Sequence, residues 1–302
     1  MDGTVLTGVR KTRKFQLTPY LFVLPAFLFF VIFILLPILN TFRYSFFDWT
    51  GFSDEVFVGL KNYQELWTDK TFLTGLLNNL KFIIFFTALP IAIALILTAL
   101  LSRRRLWGRN IFRVSFFLSY VMPMVVVGVV WRWIYNPVFG PLNGTLKSIG
   151  LSALAKPWLG DFSLAFIAVG VIATWVQYGY CLTLFMAGVQ RIDESLYDAA
   201  KVDGANDWYQ LLHVTIPGIR AEISVALVTT FIAALRVFDL IFVTTRGGPG
   251  SETIVTSLWL YTNAFQINRV GYAAAIAVVQ TIIILVISYF LLNRSGDRGE
   301  GA

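Results

Sequence analysis

The chain has 302 residues, of which 57% are hydrophobic and only 14% charged, against about 25% charged residues in a soluble domain. That balance excludes a large soluble domain and points to an all-α protein embedded in lipid. One cysteine, Cys181, supports no disulfide framework and no thiol metal cluster, and one histidine, His213, leaves metal-site and Ser-His schemes almost no raw material, so no catalytic or metal-ligating residue is expected.

A helix needs about 20 apolar residues to cross the hydrocarbon core. After a basic segment, 1–14, which carries Arg10, Lys11, Arg13 and Lys14, the first charge-free run covers 15–42. It is too long for a cleaved signal peptide. Further runs predict spans over about 79–102, 112–135, 162–188 and 270–293. A fifth span, about 221–243, is apolar apart from Arg236 and Asp239. Pro25, Pro37, Pro90 and Pro123 fall in or near these spans, which membrane helices tolerate when neighbours satisfy the freed backbone. Six spans follow, with a loop at 189–220 and a tail at 294–302.

Orientation comes from the positive charges. Arg103, Arg104, Arg105, Arg109 and Arg113 lie between the second and third spans, Arg191, Lys201 and Arg220 flank or fill the 189–220 loop, and Arg294 and Arg298 are in the tail. Both termini and that loop are therefore predicted to be cytoplasmic. The net charge of +7 is topological, not a nucleic-acid stripe. Trp49, Trp67, Trp131, Trp133, Trp158 and Trp259 cluster in the opposite loops. They form either an interfacial belt or, for Trp131, Trp133 and Tyr135, the mouth of a solute pathway.

The polar island at 189–222, VQRIDESLYDAAKVDGANDWYQLLHVTIPGIRAE, is punctuated as two helices. Ser195 is predicted to cap the first, with Asp198 at its third position. Gly204 ends it in a left-handed turn. Asn206 or Asp207 caps the second, and Pro217 stops it. Such an elbow is built to be held by another protein.

The island resembles the cytoplasmic signature loop of permease subunits of binding-protein-dependent ABC importers. That pattern is Glu-Ala-Ala, three residues, Gly, nine residues, then Ile-x-Leu-Pro. It appears as Asp198-Ala199-Ala200, Gly204 and Val214-Thr215-Ile216-Pro217, with Asp for Glu, Val for Ile and Ile for Leu. TTRGGPGSET (244–253), LYTNAF (260–265), GYAAAIA (271–277), WRWIYNPVFGPLN (131–143) and PYLFVLPAFLFF (19–30) are similar to the carbohydrate-uptake members, in particular the first of two paired subunits of oligosaccharide or glycerol-phosphate importers.

The resemblance implies a type I ABC importer permease fold, with six transmembrane helices and a cytoplasmic coupling helix, in a bacterial or archaeal cytoplasmic membrane. It implies half of a pore, completed by a second homologous permease, served by an ATPase dimer and supplied by an extracytoplasmic solute-binding protein. The chain has no G-x-x-x-x-G-K-[ST], so ATP and Mg are expected in the partner ATPase and no cofactor here.

The motif assigns Asp198, Ala199, Ala200, Asp203, Gly204 and Pro217 to ATPase coupling. Asp198 is read as a contact to that partner or as a first-turn acid serving its own helix dipole. By position the family's solute-contacting region falls on Ala173, Gln177 and Tyr180, then Thr230, Ala233, Ala234 and Val237. The i, i+3 spacing of Arg236 and Asp239 puts them on one predicted helix face, where they could pair with each other. They serve either as a structural ion pair against the partner permease or as lining of the path. Gly247, Gly248 and Pro249 make a rigid turn that meets the binding protein or the outer gate, or is a plain loop. The competing class, a self-sufficient secondary transporter or channel, usually has inverted repeats and several membrane carboxylates. The sequence has no visible repeat and one such carboxylate. Lipid surrounds the chain in either case.

Overall fold

The structure, a computed structural model, describes residues 18–102 and 109–296. The basic N-terminal segment with residues 15–17, the arginines Arg103, Arg104 and Arg105, and residues 297–302 lie outside the described residues.

In chain order the elements are α1 (18–44), the strands β1 (Phe47–Asp48) and β2 (Val56–Phe57), α2 (Lys61–Leu66), α3 (70–102), α4 (Arg109–Val121), α5 (Met124–Ile134) and α6 (Pro141–Ser148). Then come α7 (Ala165–Val189), α8 (Glu194–Val202), α9 (207–218), α10 (Arg220–Leu235), α11 (Asp239–Thr244), α12 (256–266) and α13 (Val270–Gly296). The one departure from an all-helical chain among the described residues is the antiparallel β1–β2 ribbon, which pairs Phe47 with Phe57 and Asp48 with Val56.

Among the described residues four helices are long and apolar enough to cross a membrane: α1, α3, α7 and α13. The count reaches six if each of two bent pairs is one span: Val114–Val121 with Met124–Ile134, bent by 103°, and Asp207–Gly218 with Arg220–Leu235, bent by 75°. Two runs read as single helices are therefore divided. The third breaks between α4 and α5 at Pro123, which lacks an N–H and drives the preceding residue out of the helical region. The fifth ends at Leu235 and resumes at Asp239.

Proline explains a second feature. Wide π turns at Val31–Leu35, Ile84–Ala88 and Leu211–Thr215 each end two residues before a proline: Pro37, Pro90 and Pro217. A proline ring inside an α-helix clashes with the carbonyl four residues back and leaves it without a donor. Widening the preceding turn opens space for the ring and lets the helix continue. Pro217 accordingly does not stop α9, which runs to Gly218; the chain turns at Ile219 instead.

The core is arranged around α7. Of the most apolar stretch of each helix, 67% is buried in α7, 28% in α3 and none in α1. A lipid-facing apolar side chain carries no penalty, so burial here marks close packing, which depends on small residues that let helices approach. Gly170, Gly179 and Gly188 recur every nine residues of α7, about two and a half turns, and so face alternate sides. Side chains at these positions would meet the Phe85 ring at 2.5 Å, the Phe116 carbonyl, and Glu222 Cδ at 2.8 Å. The three glycines seat α3, α4 and α10 against one helix.

At the end of the bundle that carries the β ribbon, polar groups fasten the elements. Asp69 caps α3, its Oδ1 accepting from the N–H groups of Thr71 (2.8 Å) and Phe72 (3.2 Å). Its Oδ2 accepts from Trp259 Nε1 (2.7 Å) and the Tyr272 hydroxyl (2.6 Å), tying α3 to α12 and α13. Burial raises the Asp69 pKa, but these four hydrogen bonds outweigh it and hold the carboxyl below its ordinary value. Arg269 donates twice to Glu65, both at 2.7 Å, and Asn62 Nδ2 donates to the carbonyls of Ser45 and Phe47 at 2.9 Å.

Candidate functional site

The island builds α8 and α9. Asp193, not Ser195, caps α8: its Oδ1 accepts from the Ser195 N–H at 2.9 Å, which holds the carboxyl below its ordinary value. The helix starts two residues earlier than predicted because Asp193 is as good a cap as Ser195 and lies nearer the end of α7. Asp198 is consequently not a first-turn acid. It sits mid-helix, exposed, and accepts from Lys201 Nζ at 2.9 Å.

Gly204 closes α8 in the left-handed region, at φ +79°. The Gly204 N–H donates to the Lys201 carbonyl (3.0 Å) and the Ala205 N–H to that of Ala200 (2.9 Å), the paired bonds of a Schellman end. Asn206 caps α9 through Oδ1 and the Tyr209 N–H at 2.9 Å. The Tyr197 and Thr215 hydroxyls lie 3.0 Å apart and join the two helices.

No residue of α8 is buried. Leu196, Asp198, Ala199, Asp203 and Gly204 are all exposed, and Val202 is 88% exposed. The island is thus a rigid element with an uncovered surface.

The residues assigned to the solute path do not converge. Gln177 and Thr230 are buried in the bundle, and the Thr230 hydroxyl donates to the Ala226 carbonyl of its own helix at 2.7 Å. Tyr180 stacks on Tyr120 with ring centres 4.9 Å apart. Arg236 and Asp239 are both exposed and flank the break in the fifth run. Because 236–238 is not helical, the predicted i, i+3 pairing does not form, and among the described residues neither takes part in an ion pair.

The break is held by amides that sequence reasoning missed. Asn79 Nδ2 donates to the carbonyls of Ala234 (2.9 Å) and Leu235 (3.2 Å), while its Oδ1 accepts from the Thr256 N–H (3.0 Å) and hydroxyl (2.9 Å). Gln280 Nε2 donates to the Leu235 carbonyl at 2.7 Å and to Ser257 Oγ at 2.9 Å. Asn78 Nδ2 donates to the carbonyls of Glu252 (3.0 Å) and Ile254 (2.9 Å). The signal was present: an Asn-Asn pair beside an apolar run and a Gln inside the last span both require partners.

Gly247, Gly248 and Pro249 lie in a compact turn. Gly247 and Arg246 have φ of +88° and +52°, and buried Thr253 donates to the Gly248 carbonyl at 2.8 Å. An adjoining cavity of ≈ 320 Å³ is lined by Phe242, Arg246, Leu258, Thr262 and Gln266. Of the tryptophans read as belt or mouth, Trp131 and Trp158 pack on the core with Tyr135, and Trp133 stays exposed.

Residues 91–299 match the family described as "Binding-protein-dependent transport system inner membrane component". The probable ABC transporter permease protein YurN of Bacillus subtilis is 40% identical over 276 residues, covering 90% of this chain and 94% of that protein. The trehalose/maltose transport system permease protein MalF of Thermococcus litoralis is 32% identical over 286 residues, covering 94% and 95%. Among solved structures, a chain of a bacterial alginate ABC transporter in complex with an alginate pentasaccharide-bound periplasmic protein superimposes with a TM-score of 0.80 at 23% identity, covering 94% of this chain and 95% of that one. That likeness is one of fold. With the family pattern matching residues 91–299 and these relatives spanning nearly the whole chain, the chain belongs to the binding-protein-dependent transport system inner membrane components, the permease proteins of ABC transporters.

Proposed function

We propose that this permease forms half of the pore of a sugar importer and moves a di- or oligosaccharide from a solute-binding protein into the cytoplasm by alternating access. A second permease completes the pore, and an ATPase dimer docks on the island. The observation that carries the reading is the state of α8. It is capped at both ends and fastened to α9, yet none of its residues is buried. A short helix so firmly shaped and so little packed is suited to a partner's groove.

On this reading the chain crosses the membrane six times, each bent pair counting as one crossing, with both termini cytoplasmic. The turn at Gly247–Pro249 then faces the binding protein. The sugars associated with these proteins, trehalose and maltose for one relative and alginate for the fold neighbour, support a saccharide over glycerol phosphate. Gln177 and Tyr180, together with Arg236 and Asp239, are the proposed contacts along the path.

Copurification with the ATPase, followed by transport in proteoliposomes with the binding protein and a panel of oligosaccharides, tests the proposal. The expected result is ATP-dependent uptake of a saccharide only when all subunits are present. Uptake by this chain alone would overturn it.

A further inference from the structure

The two ends of the island are locked to each other by groups that the signature motif does not contain. Arg191 follows the end of α7, and Glu222 lies in the first turn of α10. Their side chains form an ion pair, with Glu222 8% exposed and Arg191 72% exposed. Glu222 is wedged against Gly188, where an added Cβ would lie 2.8 Å from its Cδ. Beside the pair, Gly218 is seated on Ile192, where a Cβ would come within 2.5 Å of Cδ1, and Ile219 is fully buried.

A buried carboxylate is costly unless it is paired, and breaking such a pair leaves an uncompensated charge. An apolar contact would have closed this seam at lower cost. The pair instead gives a directional link across the base of the loop, between the helix that enters the island and the helix that leaves it. With residues 191 and 222 joined and Tyr197 tied to Thr215, the island has no slack at its root. Displacement of α8 is carried into α7 and α10 together.

We infer that Arg191 and Glu222 are positioning residues that transmit movement of the island to these two helices, so that ATP hydrolysis is spent on moving solute. This rests on the reading of the island as the ATPase dock.

The test uses the complete importer in proteoliposomes, with its ATPase and binding protein, and reads solute moved per ATP hydrolysed. The variants are Arg191→Gln, Glu222→Gln and the double variant. Each single change is expected to leave assembly and ATP hydrolysis in place and to lower solute per ATP about tenfold, within the usual range of coupling between sites. The double variant should be no worse than either single one, because both remove one contact. Unchanged solute per ATP would overturn the inference. So would losses that multiply in the double variant, or transport that falls only in step with the amount of assembled complex. If the unaltered chain fails to retain an ATPase, it is the docking proposal that fails.

Discussion

The island end and the ribbon end of the bundle use similar polar side chains in opposite ways. At the ribbon end Asp69, Asn78, Asn79 and Gln280 each reach across to another helix or to the return segment at 251–257, and most of those partners are buried. At the island end Asp193, Asp198 and Asn206 bond within three residues of themselves, and no residue of α8 is buried. Long-range polar contacts fix the relation between elements, whereas short-range ones shape a single element and leave its surface free. Arg191 with Glu222 and Tyr197 with Thr215 are the exceptions, contacts of longer range at the island end.

The sharpest way to break the contrast is Gly204→Val. Nothing lies within 4 Å of a Cβ there, but φ is +79°, a conformation that a β-branched residue strongly resists. Transport should be abolished while the amount of protein in the membrane, read by immunoblot, stays normal.

At the other end, Asn79→Leu should cost roughly 2 kcal/mol, since it strands buried carbonyls and the Thr256 N–H. Thermal unfolding in detergent checks it, and stability and transport should fall together.

Asp69→Asn should cost about 1 kcal/mol, because an amide can keep the two backbone N–H bonds through its oxygen, but its NH2 is a donor and accepts from neither Trp259 nor Tyr272. The folded Asp69 carboxyl titrates below its unfolded value. Its contribution is therefore present above the unfolded pKa of about 4 and lost as pH falls through the lower folded one. The melting temperature of the Asp69→Asn variant should accordingly converge on that of the unaltered chain on acidification.

The smallest effect is expected from Asp198→Asn. The carboxylate is exposed and engaged with Lys201 on its own helix, so a dock that depends on shape should retain most transport. Reversal to Asp198→Lys places two like charges side by side and should abolish it.

The sequence made much of the punctuation of the island legible because glycine and asparagine act within a few residues of themselves, whereas Pro217 lies within α9 and does not end it. Gly204 lies in the left-handed turn its spacing implied, and Asn206 is one of the two caps considered. The first cap was misplaced because Asp193 and Ser195 are equivalent by residue type, and the choice depends on where α7 ends. The break after Leu235 was hidden for a different reason. Absence of charge measures where a segment is comfortable, not whether its backbone is continuous. The carbonyls freed by the break are satisfied from α3 and α13, more than 40 residues away in the chain, a relation that no local pattern carries.

The wide turns ahead of Pro37, Pro90 and Pro217 have a consequence for anyone altering the length of this chain. Each accommodates one residue more than an α turn, so the segments on either side are offset by about 100° from an uninterrupted helix. In α3 the residues after Pro90 pack on α7, while those before Ile84 pack mainly on α10 and α12. Removing a single residue between 84 and 88 would rotate one half of α3 out of phase with its groove, with every amino acid on the packing face still present.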